Sequence, residues 1–85
     1  MKRVPLSQLQ VGQTGTVEEV RDQGFLSQRL LEMGIIRGTT IEVIRFAPMG
    51  DPIDIKIRGY HLSLRREEAE GIIVSFNDDK KSSKD

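Results

Sequence analysis

The run Ile53-Asp54-Ile55-Lys56-Ile57-Arg58 alternates apolar and charged side chains without a fault. A period of two puts the three isoleucines on one face and the three charges on the other, which predicts a half-buried β-strand. Directly before it stands Ala47-Pro48-Met49-Gly50-Asp51-Pro52. The two prolines fix φ and cannot donate a hydrogen bond, while Gly50 admits positive φ beside the turn-forming Asp51. The whole stretch to Gly59 predicts a β-hairpin with an exposed loop longer than a tight turn requires.

Other segments repeat this pattern in shorter pieces. Gln13–Val20 reads as a strand, with Gly15 marking a bend or a close approach. In Thr40–Ala47 the phase slips: Ile41 and Val43 share one face, Ile44 and Phe46 the other, as at a β-bulge. Tyr60–Arg65 alternates again after Gly59, and Ile72–Phe76 is a mostly apolar last strand. Within Gly24–Gly34, Leu26, Leu30 and Met33 form one apolar stripe, and Gly34 stands where a C′ glycine belongs. A helix of about ten residues is marginal alone, so it must dock on the sheet. Leu6 and Leu9 predict one helical turn with Gly12 as its stop, and Arg66–Gly71 reads as a polar helical turn.

Five short strands with glycine at the corners predict a mainly β fold: a small SH3-like five-stranded barrel with one inserted α-helix and one or two short helical turns. The oligonucleotide/oligosaccharide-binding barrel is the competing architecture. Asn77–Asp85 has no apolar side chain to offset its ordering entropy, so it is expected to be a disordered polar tail behind a domain at residues 1–76. A chain of 85 residues buries roughly 60–65% of its unfolded surface. That suffices for one modest core, not for a deep catalytic cleft with a cofactor. Aromatic residues make up only 5% of the chain, so the core must be aliphatic.

Composition narrows function by exclusion. Residues 1–76 carry ten basic and ten acidic side chains, without the basic excess usual in a nonspecific nucleic-acid binder. No cysteine is present, which removes disulfides, thiolate metal sites and a cysteine nucleophile. No apolar run approaches the roughly 18 residues of a membrane span, and the first ten residues contain no signal-peptide core. The expectation is a soluble intracellular protein.

No catalytic constellation can be assembled. His61, the one histidine, alternates with Tyr60 and Leu62 and is expected on the outer face of a strand. A zinc site needs three or four nitrogen or sulfur ligands. Glu18, Glu19 and Asp22, the pair Asp51 and Asp54, and the trio Glu67, Glu68 and Glu70 match no calcium loop and read as solvated surface. Gly12-Gln13-Thr14-Gly15 lacks the lysine and the strand–loop–helix setting of a phosphate loop. No cofactor is expected, a weakly held divalent metal being the single candidate. Arginine outnumbers lysine eight to two in residues 1–76, a preference seen in protein interfaces and in phosphate binding.

Three segments in order carry a family resemblance. They are Arg29-Leu30-Leu31-Glu32-Met33-Gly34-Ile35 with Gly38, then Ala47–Ile53, then Arg58-Gly59 with Leu62–Ala69. Over about Val4 to Phe76 the chain resembles the ferrous iron transport protein A family (FeoA), whose SH3-like domain also ends iron-dependent transcriptional repressors. The resemblance implies a cytoplasmic accessory or regulator of ferrous iron uptake, peripheral to the inner membrane through its partner. That partner is the membrane-embedded ferrous iron transporter with its GTP-binding cytoplasmic domain. The repressors' use of carboxylates in a metal site brings in Glu18, Glu19 and Glu42, with no motif to choose among them.

The leading expectation is therefore a non-enzymatic protein-interaction module with neither nucleic acid nor membrane insertion. Its contact surface is expected at Arg29, Met49, Gly50, Asp51, Pro52, Arg58 and Arg65. The alternative is a small-barrel metal-sensing or RNA-binding module. A proline-rich-peptide groove is disfavoured, because one Tyr, three Phe and no Trp cannot line it.

Overall fold

The computed structural model describes residues 1–21 and 25–77. Six antiparallel strands form one sheet in the order β1-β6-β2-β3-β4-β5. They are β1 (Lys2–Pro5), β2 (Thr14–Val20), β3 (Thr40–Phe46), β4 (Ile53–Ile57), β5 (Tyr60–Leu64) and β6 (Ile72–Phe76). Helix α1 (Phe25–Glu32) joins β2 to β3, helix α2 (Arg66–Glu70) joins β5 to β6, and a single 3₁₀ turn, Leu6–Gln8, follows β1.

The strand count exceeds the expected five by β1. Its residues pair with β6 from Lys2↔Phe76 to Pro5↔Ile73. β1 gives little sequence signal because it is four residues long, with Val4 as its one apolar strand former. Pro5 is tolerated at an edge, where the missing donor faces no partner. β6 lies between β1 and β2 with residues of both faces buried, which accounts for its mostly apolar, non-alternating run.

The alternation in Ile53–Ile57 holds: Ile53, Ile55 and Ile57 are buried, and Lys56 is exposed. The phase slip in β3 is a bulge, where the register with β4 shifts between Val43 and Arg45. A second shift falls between Val17 and Glu19 in the pairing of β2 with β6. Such bulges sharpen the twist that lets a small sheet wrap around its own core. Gly15 is a close approach, because a Cβ there would lie 2.9 Å from Val74 Cγ2 and 3.2 Å from Leu9 Cδ1.

The core is aliphatic, drawing on Val17, Ile41, Val43, Leu64, Ile72 and Val74 beside the three β4 isoleucines, with Leu6, Leu9, Leu30, Ile35 and Ala69 closing over it. Phe46 and Phe76 pack against its margin. Helix α1 docks through Leu30, with Met33 partly buried. It ends in a Schellman motif: Gly34 has φ +87°, its N–H donates to the Leu31 carbonyl (2.9 Å), and the Ile35 N–H donates to the Leu30 carbonyl (3.0 Å). Gly24, Asp22, the Leu26 side chain and all of the expected tail except Asn77 lie outside the described residues. Gly12 does not close the 3₁₀ turn. It lies in the following turn, where its N–H donates to the Val43 carbonyl (2.8 Å).

Candidate functional site

Four of the seven expected contact residues meet in one shallow groove. Arg29 of α1, Asp51 and Pro52 of the loop before β4, and Ser63, Leu64 and Arg65 at the end of β5 line a concavity of about 370 Å³. The β3–β4 loop forms its rim. The Ala47 N–H donates to the Pro52 carbonyl (3.0 Å) and the Gly50 N–H to the Ala47 carbonyl (2.7 Å), so a tight turn sits inside a wider one. The Asp51–Pro52 peptide is cis, and Gly50 has φ +84°. Met49 projects from the tip with 89% of its surface exposed.

Two groove residues also hold the fold together. The Asp51 Oδ1 accepts the backbone N–H of Arg66 (3.0 Å), satisfying the first donor of α2. The Arg29 Nε donates to the Glu68 Oε2 (2.5 Å), and the other carboxylate oxygen accepts the Arg65 N–H (2.8 Å). Glu68 is buried, with 3% of its side chain exposed, whereas Arg29 is nearly half exposed. This corrects the reading of Glu68 as solvated surface. Leu6 and Ala69 bring the 3₁₀ turn and α2 into one buried cluster, and the Glu68 carboxylate is sealed under Arg29. Gly50 is half-buried, because the Arg66 guanidinium lies 3.1 Å from where a Cβ would stand.

Arg58 does not join the groove. β4 enters at Ile53, opposite Leu64, and leaves at Ile57, opposite Tyr60, so Arg58 occupies the other end of the β4–β5 hairpin. Arg58 (φ +49°) and Gly59 (φ +88°) form its two-residue turn. Ser63 and Leu64 also line the groove, although in sequence they read as plain strand residues. Their alternation signals a strand and carries no mark of a groove.

Of the other carboxylates named from sequence, Glu18, Glu19, Asp54 and Glu70 find partners on their own chain, Glu70 with Arg66 (3.4 Å). Glu18 accepts the Ser75 hydroxyl (2.8 Å), and Glu19 pairs with Arg21 (3.3 Å) and Arg3 (3.7 Å). Asp54 takes the Ser63 hydroxyl at Oδ1 (2.7 Å) and the Arg45 guanidinium at Oδ2 (2.9 Å). These two hydrogen bonds, Ser63 first, hold its carboxyl below the ordinary aspartate range. His61 is exposed beside this triad in a second concavity. Among the described residues no three His, Cys, Asp or Glu side chains stand together as metal ligands. No helix there is long and apolar enough to cross a membrane.

The pattern of the FeoA domain matches residues 4–76, nearly the whole described chain. The chain belongs to the FeoA domain family. A Fe(2+) transport protein A/Fe(2+) transporter FeoB fusion protein of Porphyromonas gingivalis (strain ATCC BAA-308 / W83) is 41% identical over 71 residues. The match covers 84% of this chain and only 8% of the fusion protein's length. A FeoA-like protein of Clostridium acetobutylicum superposes with TM-score 0.83 at 37% identity, over 89% of this chain and 88% of that one. The zinc-complexed FeoA of Stenotrophomonas maltophilia, described as a procaryotic SH3 domain protein, gives 0.73 at 27% identity, over 82% and 87% of the two chains. This FeoA chain thus has the SH3-like fold expected of it. The likeness extends in fold alone to T. acidophilum IdeR, with TM-score 0.78 at 17% identity, over 91% of this chain and 35% of that one. Through the fusion, the FeoA family is linked to ferrous iron transport.

Proposed function

We propose that this FeoA domain is a non-enzymatic, cytoplasmic accessory of ferrous iron uptake. It acts by protein contact with the GTP-binding cytoplasmic part of the membrane transporter, and its contact surface is the groove around Arg29, Asp51, Pro52 and Arg65 with Met49 at the rim. The observation that carries this reading is the fusion of a 41% identical domain to a ferrous iron transporter in one polypeptide. Covalent joining keeps two modules at high effective concentration, which favours a pair that must meet. The groove suits protein better than a small molecule, being shallow, bordered by arginine and capped by an exposed methionine.

The test is capture of the transporter's cytoplasmic domain by this protein and by two variants, Arg65→Glu and Met49→Lys. These positions are chosen because Asp51 and Arg29 also support the fold. Capture by wild type and its loss in both variants is the expected result. If both variants are folded and capture the domain as well as wild type, the groove is the wrong surface.

A further inference from the structure

β5 is an open edge of the sheet. It pairs with β4 on one side, and among the described residues no strand pairs with the other. The other edge, β1, is shortened to four residues and ends in Pro5, devices that blunt an edge. β5 has neither proline nor bulge. The positive φ angles of Arg58 and Gly59 define a type I′ turn, which closes on the hydrogen-bonded pair Ile57–Tyr60. In an antiparallel ladder the bonding side alternates, so Leu62 and Leu64 also bond to β4. The backbone N–H and C=O of His61 and Ser63 therefore point outward from the edge.

Helix α1 and the turn after it approach the two ends of this edge. Arg29 shares the groove with Leu64 and Arg65, and five residues on, a Cβ at Gly34 would lie 4.0 Å from the Tyr60 hydroxyl. An edge strand with a helix nearby is a geometry in which partner peptides add as a strand, backbone bonds giving affinity and the groove reading alternate side chains.

Arg65 and Arg58 leave unpaired positive charge at the two ends of this edge. Arg29 and Arg65 border one end and Arg58 the other. Arg58 and Arg65 form no ion pair among the described residues. Of the carboxylates nearest to this edge, Glu68 is ion-paired with Arg29 and Asp54 with Arg45, and Asp51 is tied to the Arg66 N–H.

We propose that β5 accepts an extended acidic segment of the partner protein as an added strand in the groove bordered by α1. The proposal rests on the reading that the groove binds protein, and it specifies how. The bound segment pairs with the His61 and Ser63 backbones and sets its carboxylates against Arg65 and Arg58.

The experiment titrates a short peptide of alternating threonine and glutamate into the isotopically labelled protein at low salt. A copy with every second amide N-methylated serves as the comparison. Expected is slowing of amide exchange at His61 and Ser63 by about tenfold or more, with no such protection from the N-methylated copy. Equal binding of the two peptides would overturn strand addition.

His61→Pro provides the second arm. Proline removes the outward donor and is tolerated at outward positions of an edge strand. The folded variant is expected to capture the transporter's cytoplasmic domain about tenfold more weakly. If His61→Pro retains capture while Arg65→Glu loses it, strand addition is wrong and the groove reading stands. If both retain it, both readings fail. A free protein that sediments as a dimer, and as a monomer once His61→Pro is made, would place a second copy on the edge and overturn the proposal.

Discussion

Arg29 and Glu68 tie the two helices together across thirty-nine positions of sequence, Nε to Oε2 at 2.5 Å. The pair is asymmetric, since the carboxylate is buried and the guanidinium is half in water. Removing the arginine strands a buried charge, whereas removing the glutamate leaves a cation free to turn outward.

Arg29→Ala is therefore expected to destabilise more than Glu68→Gln, by about 1–3 kcal/mol in total. That is less than the roughly 3–5 kcal/mol of a fully buried pair, because water already reaches Arg29. Urea unfolding of both variants and of the double variant measures the coupling. Additive losses would show that the two side chains do not act as a unit.

Asp51 acts as a remote cap for α2, because its carboxylate meets the Arg66 N–H from fifteen residues away. Asp51→Ala is expected to cost about 1 kcal/mol, the usual worth of a lost helix-start acceptor. Faster amide exchange at Arg66 is its specific readout. Unchanged exchange there would mean that water replaces the carboxylate without loss.

Gly15 leaves no room for a methyl group, and both nearest neighbours are buried or branched side chains of the core, Val74 and Leu9. Gly15→Ala is expected to lower stability by about 1–3 kcal/mol through overpacking. An unchanged denaturation midpoint would mean that Leu9 and Val74 shift aside without strain.

Asp54 has its carboxyl pulled below the ordinary aspartate value, first by the Ser63 hydroxyl and then by Arg45. A depressed carboxylate contributes stability that is present above its unfolded value, about 3.9, and is lost as pH falls through the folded value. Ser63→Ala is expected to raise the Asp54 pKa and shrink that acid-side dependence. Carbon-detected NMR titration reads it directly, and an Asp54 that titrates identically in both proteins would remove Ser63 as the cause.

The sequence made the local elements readable where a period or a special φ left its mark. The Ile53–Ile57 alternation, the Gly34 cap, the Gly15 contact and the β3 phase slip each have such a mark. β1 has none, since pairing with β6 rather than its own composition makes it a strand. Glu68 was opaque for a similar reason. Five residues of α2 hold too few turns to show a buried face, and its ion partner lies on another helix. The groove was half legible: Arg29, Asp51, Pro52 and Arg65 stood out as residue types, but nothing local said that Arg58 sits at the far end of the hairpin. Nor did anything local distinguish a side chain free to greet a partner from one already bonded at home, as Asp51 is.

Lys2 lies opposite Phe76 in the β1–β6 ladder. The first and last strands of the domain thus meet antiparallel, and its entry and exit are side by side. A polypeptide continuing from either end leaves from the same corner of the sheet. For a module of this build, joining it to a larger protein ahead of or behind its own sequence is mechanically the same operation. Such a domain can be tethered by a single stalk while both of its ends remain in the ladder.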